Sequence, residues 1–189
     1  AVLLYRGDGI EKNKKEGIKY FKMAADNVNV PSMMKYAQIL EQKNIKDEAL
    51  HYYKKAANNN DIPAMVKCAS LLEQKNEKEE SSKYLKLAAD KGDISSMINY
   101  AFMKYKGDGV LVNKRESLKY FKMAADKGNS VGMSRYAYMI HYSDGVPINK
   151  EESLKYFKMA IDKGNSFAMN NYATILELGD GIEANKEEA

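Results

Sequence analysis

Side chains able to do covalent or metal chemistry are few and scattered. The 189-residue chain has two histidines, His51 and His141, and one cysteine, Cys68. Nucleophilic catalysis needs a base within hydrogen-bond reach of the nucleophile and a third group that orients the base. His51 and His141 lie in distant repeats on helices of different type, and Cys68 falls at a packing position, so no such set shares a spacing. Four short loops invite a ligand: Gly7-Asp-Gly9, Gly107-Asp-Gly109, Ser143-Asp-Gly145 and Gly179-Asp-Gly181. A calcium loop alternates acids and ends in Glu, and a phosphate loop carries Gly-Lys-Ser/Thr. These loops do neither and read as turns. No catalytic, cofactor-binding or metal-binding residue is expected, and the chain reads as a non-enzyme.

The chemistry left is recognition by surface side chains, and a repeated scaffold must position them. The phrase Tyr20-Phe-Lys-Met-Ala-Ala-Asp26 returns in variants beginning at Tyr52, Tyr84, Tyr120 and Tyr156, at spacings of 32, 32, 36 and 36 residues. A second anchor, at Tyr36-Ala37, Cys68-Ala69, Tyr100-Ala101, Tyr136-Ala137 and Tyr172-Ala173, follows each phrase by 16 residues. Self-similarity at such a period marks a stacked array of supersecondary units. Each period holds two helices, A around the Tyr-Ala pair and B around the seven-residue phrase. In one B helix Leu118, Phe121, Ala124 and Ala125 share a stripe, while Lys119, Lys122 and Asp126 turn to water.

Punctuation supports the hairpins. Asn13-x-x-Glu16, Asn76-x-x-Glu79, Asn113-x-x-Glu116, Asn149-x-x-Glu152 and Asn185-x-x-Glu188 predict B-helix starts, with Asn44-x-x-Asp47 a weaker form. Gly92, Gly128 and Gly164 predict their ends, and Asn60 tolerates the same left-handed conformation. Val28 does not fit, so that end is expected to differ. The 32-residue periods lack the Gly-Asp-Gly loop, which explains the two lengths.

Gly107-Asp-Gly109-Val110, a Lys-rich linker, the pair Tyr120-Phe121, then Ala124-Ala125 and Gly128 recur in phase. This combination resembles the Sel1-like repeat family, a relative of the tetratricopeptide repeats, over essentially the whole chain. The chain departs from the family in having Tyr-Ala or Cys-Ala where Leu-Gly is usual. It also has Leu40, Leu72, Lys104, Ile140 and Leu176 where an aromatic is usual. Lys104 at a packing position must either snorkel to solvent or mark a functional irregularity. The expected fold is all-α, a right-handed α-solenoid of stacked antiparallel helical hairpins. It forms a single array over 1–189, truncated at both ends, with about five full hairpins. Ala1 aligns with Ala101 and Ala189 with Ser117, so the sequence reads as part of a longer protein whose uncapped ends could self-associate.

Composition narrows the partners. No apolar run is long enough to span a membrane, and a single cysteine excludes an intramolecular disulfide framework, which favours a cytoplasmic setting. The net charge of +4 comes from lysines interleaved with acids, a solvated-face pattern and not a nucleic-acid stripe. RNA-binding helical repeats are the minor alternative.

Counted from Ser32, Ala64, Ser96, Gly132 and Ala168 as zero, A-helix positions two, six, nine and ten face away from the packing side. The resemblance implies that they line a concave groove. Met34, Gln38, Phe102, Tyr105, Tyr138, His141, Tyr142 and Asn170 are the candidate partner-binding residues, with aromatics gathered in the later repeats. The expected function is a non-catalytic scaffold or adaptor holding a peptide or protein. The alternative is a regulatory or targeting segment of a larger enzyme, since the family occurs in ubiquitin-ligase adaptors and beside protein kinase domains.

Overall fold

The structure, a computed structural model, describes residues 1–7 and 13–181. These residues form eleven helices and no strand: α1 (Val2–Arg6), α2 (Lys14–Asp26), α3 (Val30–Gln42), α4 (Lys46–Asn58), α5 (Ile62–Gln74), α6 (Lys78–Asp90), α7 (Ile94–Lys106), α8 (Lys114–Asp126), α9 (Ser130–His141), α10 (Lys150–Ile161) and α11 (Ser166–Leu178). Odd-numbered helices are A and even-numbered are B. The expected α-solenoid of helical hairpins is the observed fold. The chain divides into two compact units, Ala1–Leu87 and Ala88–Ala189. In the first unit α1 to α5 each pack on the next; in the second, α7 to α11 do the same, and α11 also touches α9.

The repeated phrase earns its uniformity through hydrogen bonds between successive B helices. Tyr52 Oη donates to Asp26 at 2.7 Å, Tyr120 Oη to Asp90 at 2.6 Å and Tyr156 Oη to Asp126 at 3.1 Å. The A-helix tyrosines meet the same rings edge-on, at 4.8 Å for Tyr36–Tyr52 and Tyr100–Tyr120 and 4.9 Å for Tyr136–Tyr156. Their hydroxyls donate to Glu48, Glu116 and Glu152 of the following B helix. Behind them Ala37, Ala101, Ala124, Ala137 and Ala160 are fully buried and let the helices approach. Lys119 and Asp126 are exposed as expected, but Lys122 is half-buried and donates to Tyr156 at 2.7 Å. Lys104 pairs with Glu116 at 3.4 Å and lies over the Tyr100 ring, so the ammonium at the packing position is compensated.

The helix signals are partly reassigned. Asn13, Asn113 and Asn149 accept from the amide of Glu16, Glu116 and Glu152 as B-helix caps. Asn44 and Asn76 do not cap. They sit at φ 60° and 61° and close α3 and α5, with the next amide returning to Leu40 and Leu72 carbonyls. With no Gly-Asp-Gly loop, the connection is so short that the Asn must serve the helix that ends there. Asn185 lies outside the described residues. The A helices have caps of their own, unpredicted from sequence: Asn29, Asp61, Asp93, Asn129 and Asn165 each accept from the amide three residues on.

The end at Val28 does not differ from the others. Val28 adopts φ 61°, and its neighbours make the same pair of closing bonds as Gly92, Gly128 and Gly164. A β-branched residue there is strained, and Val28 is 62% exposed, so little burial opposes its removal. Val28→Gly is therefore expected to stabilise the chain by about 0.5–1 kcal/mol in urea denaturation, the strain relieved exceeding the added chain entropy. A loss of stability would show that the valine methyls contribute packing.

Candidate protein interface

The outward residues of the second unit are set on three A helices whose first turns are fixed by the Asp93, Asn129 and Asn165 caps. Phe102 and Tyr105 come from α7, Arg135 and Tyr138 from α9, with Tyr142 just past its end, and Phe167 and Asn170 from α11. Phe102 is half-buried, meeting Phe121 edge-on at 5.0 Å. The Arg135 guanidinium lies 5.3 Å from the Phe102 centroid and 3.8 Å from that of Phe167, placed between the two rings. Tyr138 is half-buried against Phe167 at 5.6 Å and Tyr142 at 4.9 Å. Tyr142 is 40% exposed and Asn170 is exposed. Tyr142, Tyr138 and Phe167 are in ring contact, and the Arg135 guanidinium links Phe167 to Phe102, over which Lys106 also lies at 5.8 Å. In the first unit Met34 and Gln38 are half-buried on α3.

Two expected surface residues have other work. Tyr105 Oη donates to the Asp144 carboxylate, to which Lys114 also donates. Burial pushes the Tyr105 phenol up to about 12, with the Asp144 bond adding to it. Burial alone would raise Asp144; the bonds from Lys114 and Tyr105 outweigh it and hold the carboxyl below its ordinary value. His141, at the register of Tyr105, is only 1% exposed and so is not the outward-facing residue expected. Its Nε2–H donates to Asp180 at 3.1 Å, and Ser153 Oγ donates to Nδ1 at 3.1 Å. Lys150 donates to the same Asp180 carboxylate. Burial lowers the His141 pKa despite the Asp180 carboxylate, so the imidazole is neutral near pH 7. Ser134, also expected to face outward, is buried with its hydroxyl on the Val131 carbonyl.

Asp144 and Asp180, the loop aspartates whose bonds are seen here, are thus more than turn residues, while Asp8 lies outside the described residues. In the second unit Asp144 ties its loop back to α7 and α8, and Asp180 ties the next loop to α9 and α10. The signal in the sequence is the interval: Lys114 to Asp144 and Lys150 to Asp180 are both 30 residues apart.

Ser153, His141 and Asp180 repeat the residue types of a hydrolytic triad, but Ser153 is 0% exposed and its Oγ cannot meet a substrate. Cys68 is buried, and burial pushes its thiol up to about 12, far from a reactive thiolate. Among the described residues no group of three or more His, Cys, Asp or Glu side chains converges as a metal site, and no helix is long and apolar enough to cross a membrane.

Helical hairpins in tandem, a wall of interlocked B helices and an aromatic A-helix surface define a repeat scaffold. The Sel1 repeat model matches residues 1–29, 35–61, 74–93, 94–129, 130–165 and 166–189, and the chain belongs to the Sel1 repeat family. Arrays of this family typically mediate protein–protein interactions. The structure of c5321, a protective antigen of uropathogenic Escherichia coli with an SLR fold, superposes with a TM-score of 0.84 at 22% identity. That match covers 100% of this chain and 42% of the antigen, so the chain spans less than half of that protein's length. A Sel1 repeat protein from Oxalobacter formigenes gives a TM-score of 0.66 at 24% identity, covering 100% of this chain and 80% of its own. MamA gives 0.54 at 18% identity, covering 87% and 94%. At these identities the likeness concerns the fold alone. No curated protein matches the chain in sequence.

Proposed function

We propose that the chain is a non-catalytic scaffold that holds a peptide or a protein helix against the outward face of its A helices. The observation that carries this reading is the aromatic surface of Tyr138, Tyr142, Phe102 and Phe167 around Arg135. Aromatic rings and arginine dominate protein interfaces, since they bury large area for little lost side-chain freedom. On the B helices Tyr52, Tyr120 and Tyr156 are already engaged in bonds to the preceding B helix.

Tyr138 and Tyr142 are the residues to change, since Phe102 also packs on Phe121 and its loss would confound binding with stability. Tyr138→Ala and Tyr142→Ala are each expected to cost a captured partner about 2 kcal/mol, with helical content unchanged by circular dichroism. Partners recovered by affinity capture and titrated against both variants provide the measurement. Equal affinity for the native chain and both variants would remove the A-helix face from the function.

A further inference from the structure

The scaffold reading leaves one charge unexplained. Arg135 stacks on Phe102 and Phe167, yet among the described residues it makes no hydrogen bond or ion pair. Burial lowers its pKa from the ordinary value. A partly desolvated guanidinium with its donors unmatched is unfavourable unless something supplies acceptors.

The first unit shows how the same register is compensated. Lys67 occupies in α5 the position that Arg135 occupies in α9, three residues past the zero position. Its ammonium donates to Glu41 of the preceding A helix at 3.1 and 3.2 Å. The residue at the register of Glu41 before Arg135 is Tyr105, whose hydroxyl is committed to Asp144. The internal carboxylate is therefore missing at Arg135, a cation that lies against two rings.

We infer that the Arg135 guanidinium is the receptor for a partner's carboxylate, held between rings that take the apolar side chains on either side of it. The occupant is an acidic peptide segment with an internal Glu or Asp flanked by large apolar residues; this rests on the scaffold reading above. An internal carboxylate suits the site better than a chain terminus, because Arg135 lies against rings from two neighbouring helices, Phe102 of α7 at 5.3 Å and Phe167 of α11 at 3.8 Å. A polyanion is a poorer fit. The positions matching Arg135 on α7 and α11 are Asn99 and Asn171, and among the described residues only the Lys106 ammonium, 5.8 Å from the Phe102 centroid, adds positive charge over the Phe102 and Phe167 rings beside Arg135. The planar fork of arginine matches one carboxylate by two parallel bonds.

The probe is a pool of short peptides capped by fluorescein at one end and an amide at the other, with Glu fixed at the centre and Leu, Phe or Tyr around it. Matching pools carry central Gln, or no acid and a free terminal carboxylate. The Glu pool is expected to bind the native chain about tenfold or more tighter than the Gln pool, a difference that Arg135→Met abolishes. Equal binding of Glu and Gln pools to the native chain overturns the inference without requiring any variant to fold. Binding that Tyr138→Ala weakens and Arg135→Met leaves alone overturns the carboxylate receptor and keeps the scaffold reading. Tighter binding of the free-terminus pool overturns the internal segment, and displacement of the Glu pool by a single-stranded RNA oligomer at equal concentration overturns the peptide assignment. Failure of every pool overturns the inference.

Discussion

Gly132→Ala is expected to destabilise the second unit by about 2–3 kcal/mol, although alanine is the better helix former by about 1 kcal/mol. Gly132 opens α9 at the zero position, where Ser32, Ala64, Ser96 and Ala168 carry a side chain in the other A helices. A Cβ on Gly132 would stand 2.7 Å from the Ala125 amide nitrogen, 2.8 Å from the Ala124 Cβ and 2.9 Å from the Ala124 carbonyl carbon. Those atoms belong largely to the α8 backbone and cannot swing aside, so the two helices must separate. Separation would loosen a core that includes Met133, Ala137 and Phe157. Ser96→Ala provides the control at the same register in α7. It removes a buried hydroxyl that has no partner among the described residues and is expected to be neutral or stabilising. Urea denaturation of the two variants measures the contrast, and a tolerated alanine at both positions would mean that α8 and α9 are not held at this distance.

His141→Ala is expected to cost about 2–3 kcal/mol, combining a cavity at a fully enclosed site with the loss of two hydrogen bonds. Ser153 would turn to the Ala137 carbonyl, as Ser117 does to Ala101 at 2.8 Å, so its hydroxyl need not be orphaned. The same histidine sets an acid limit. Its folded pKa lies below the ordinary 6.5, so the unfolded chain takes up the proton first. The stability it contributes is complete above about pH 6.5 and is lost as pH falls from there to the folded value. Asp180 and Asp144 add a second, lower step: their depressed carboxyls contribute stability above the ordinary 3.8 that is lost as pH falls through the folded values. Among the described residues the groups facing His141 are Asp180, Lys150, Ser153 and the rings of Tyr142 and Phe157. His141→Tyr, which places at this register the residue found at Tyr105, should keep a bond to Asp180 and lose the upper step. Urea midpoints at about pH 7.5 and about pH 5.5 test this, and an unchanged difference in the tyrosine variant would place the acid sensitivity elsewhere.

The periodic residues told most of the fold. Tyr20 through Asp26 and its copies located the B helices, the Tyr-Ala pairs located the A helices, and both fell where their spacing placed them. Punctuation was less legible, because the Asn-x-x-acid pattern is the same whether Asn begins a helix, as at Asn113, or ends one, as at Asn76. Loop length decides between them, and it acts through the chain before the motif. At the positions read as outward, Tyr142 and Asn170 are exposed and Tyr138 is half-buried, whereas His141 and Ser134 are buried. A helical wheel treats each helix as flanked by nothing, whereas Asp180 reaches back over α9 from the next loop and meets His141. Arg135 was visible as a residue, but its lack of a carboxylate is a relation between two helices and appears only when α7 and α9 stand side by side.

The loop aspartates bear on how such an array can lengthen. The 36-residue stretch starting at Lys114 contains both halves of a latch, the lysine opening a B helix and the aspartate 30 residues later that closes on it. A tandem copy of that stretch would arrive with its own fastening and a matching seam for the copy before it. The 32-residue periods that start at Tyr20 and Tyr52 carry no such loop and would bring none. Duplication of the longer period is thus the mutational step that extends the molecule without new complementary residues having to arise.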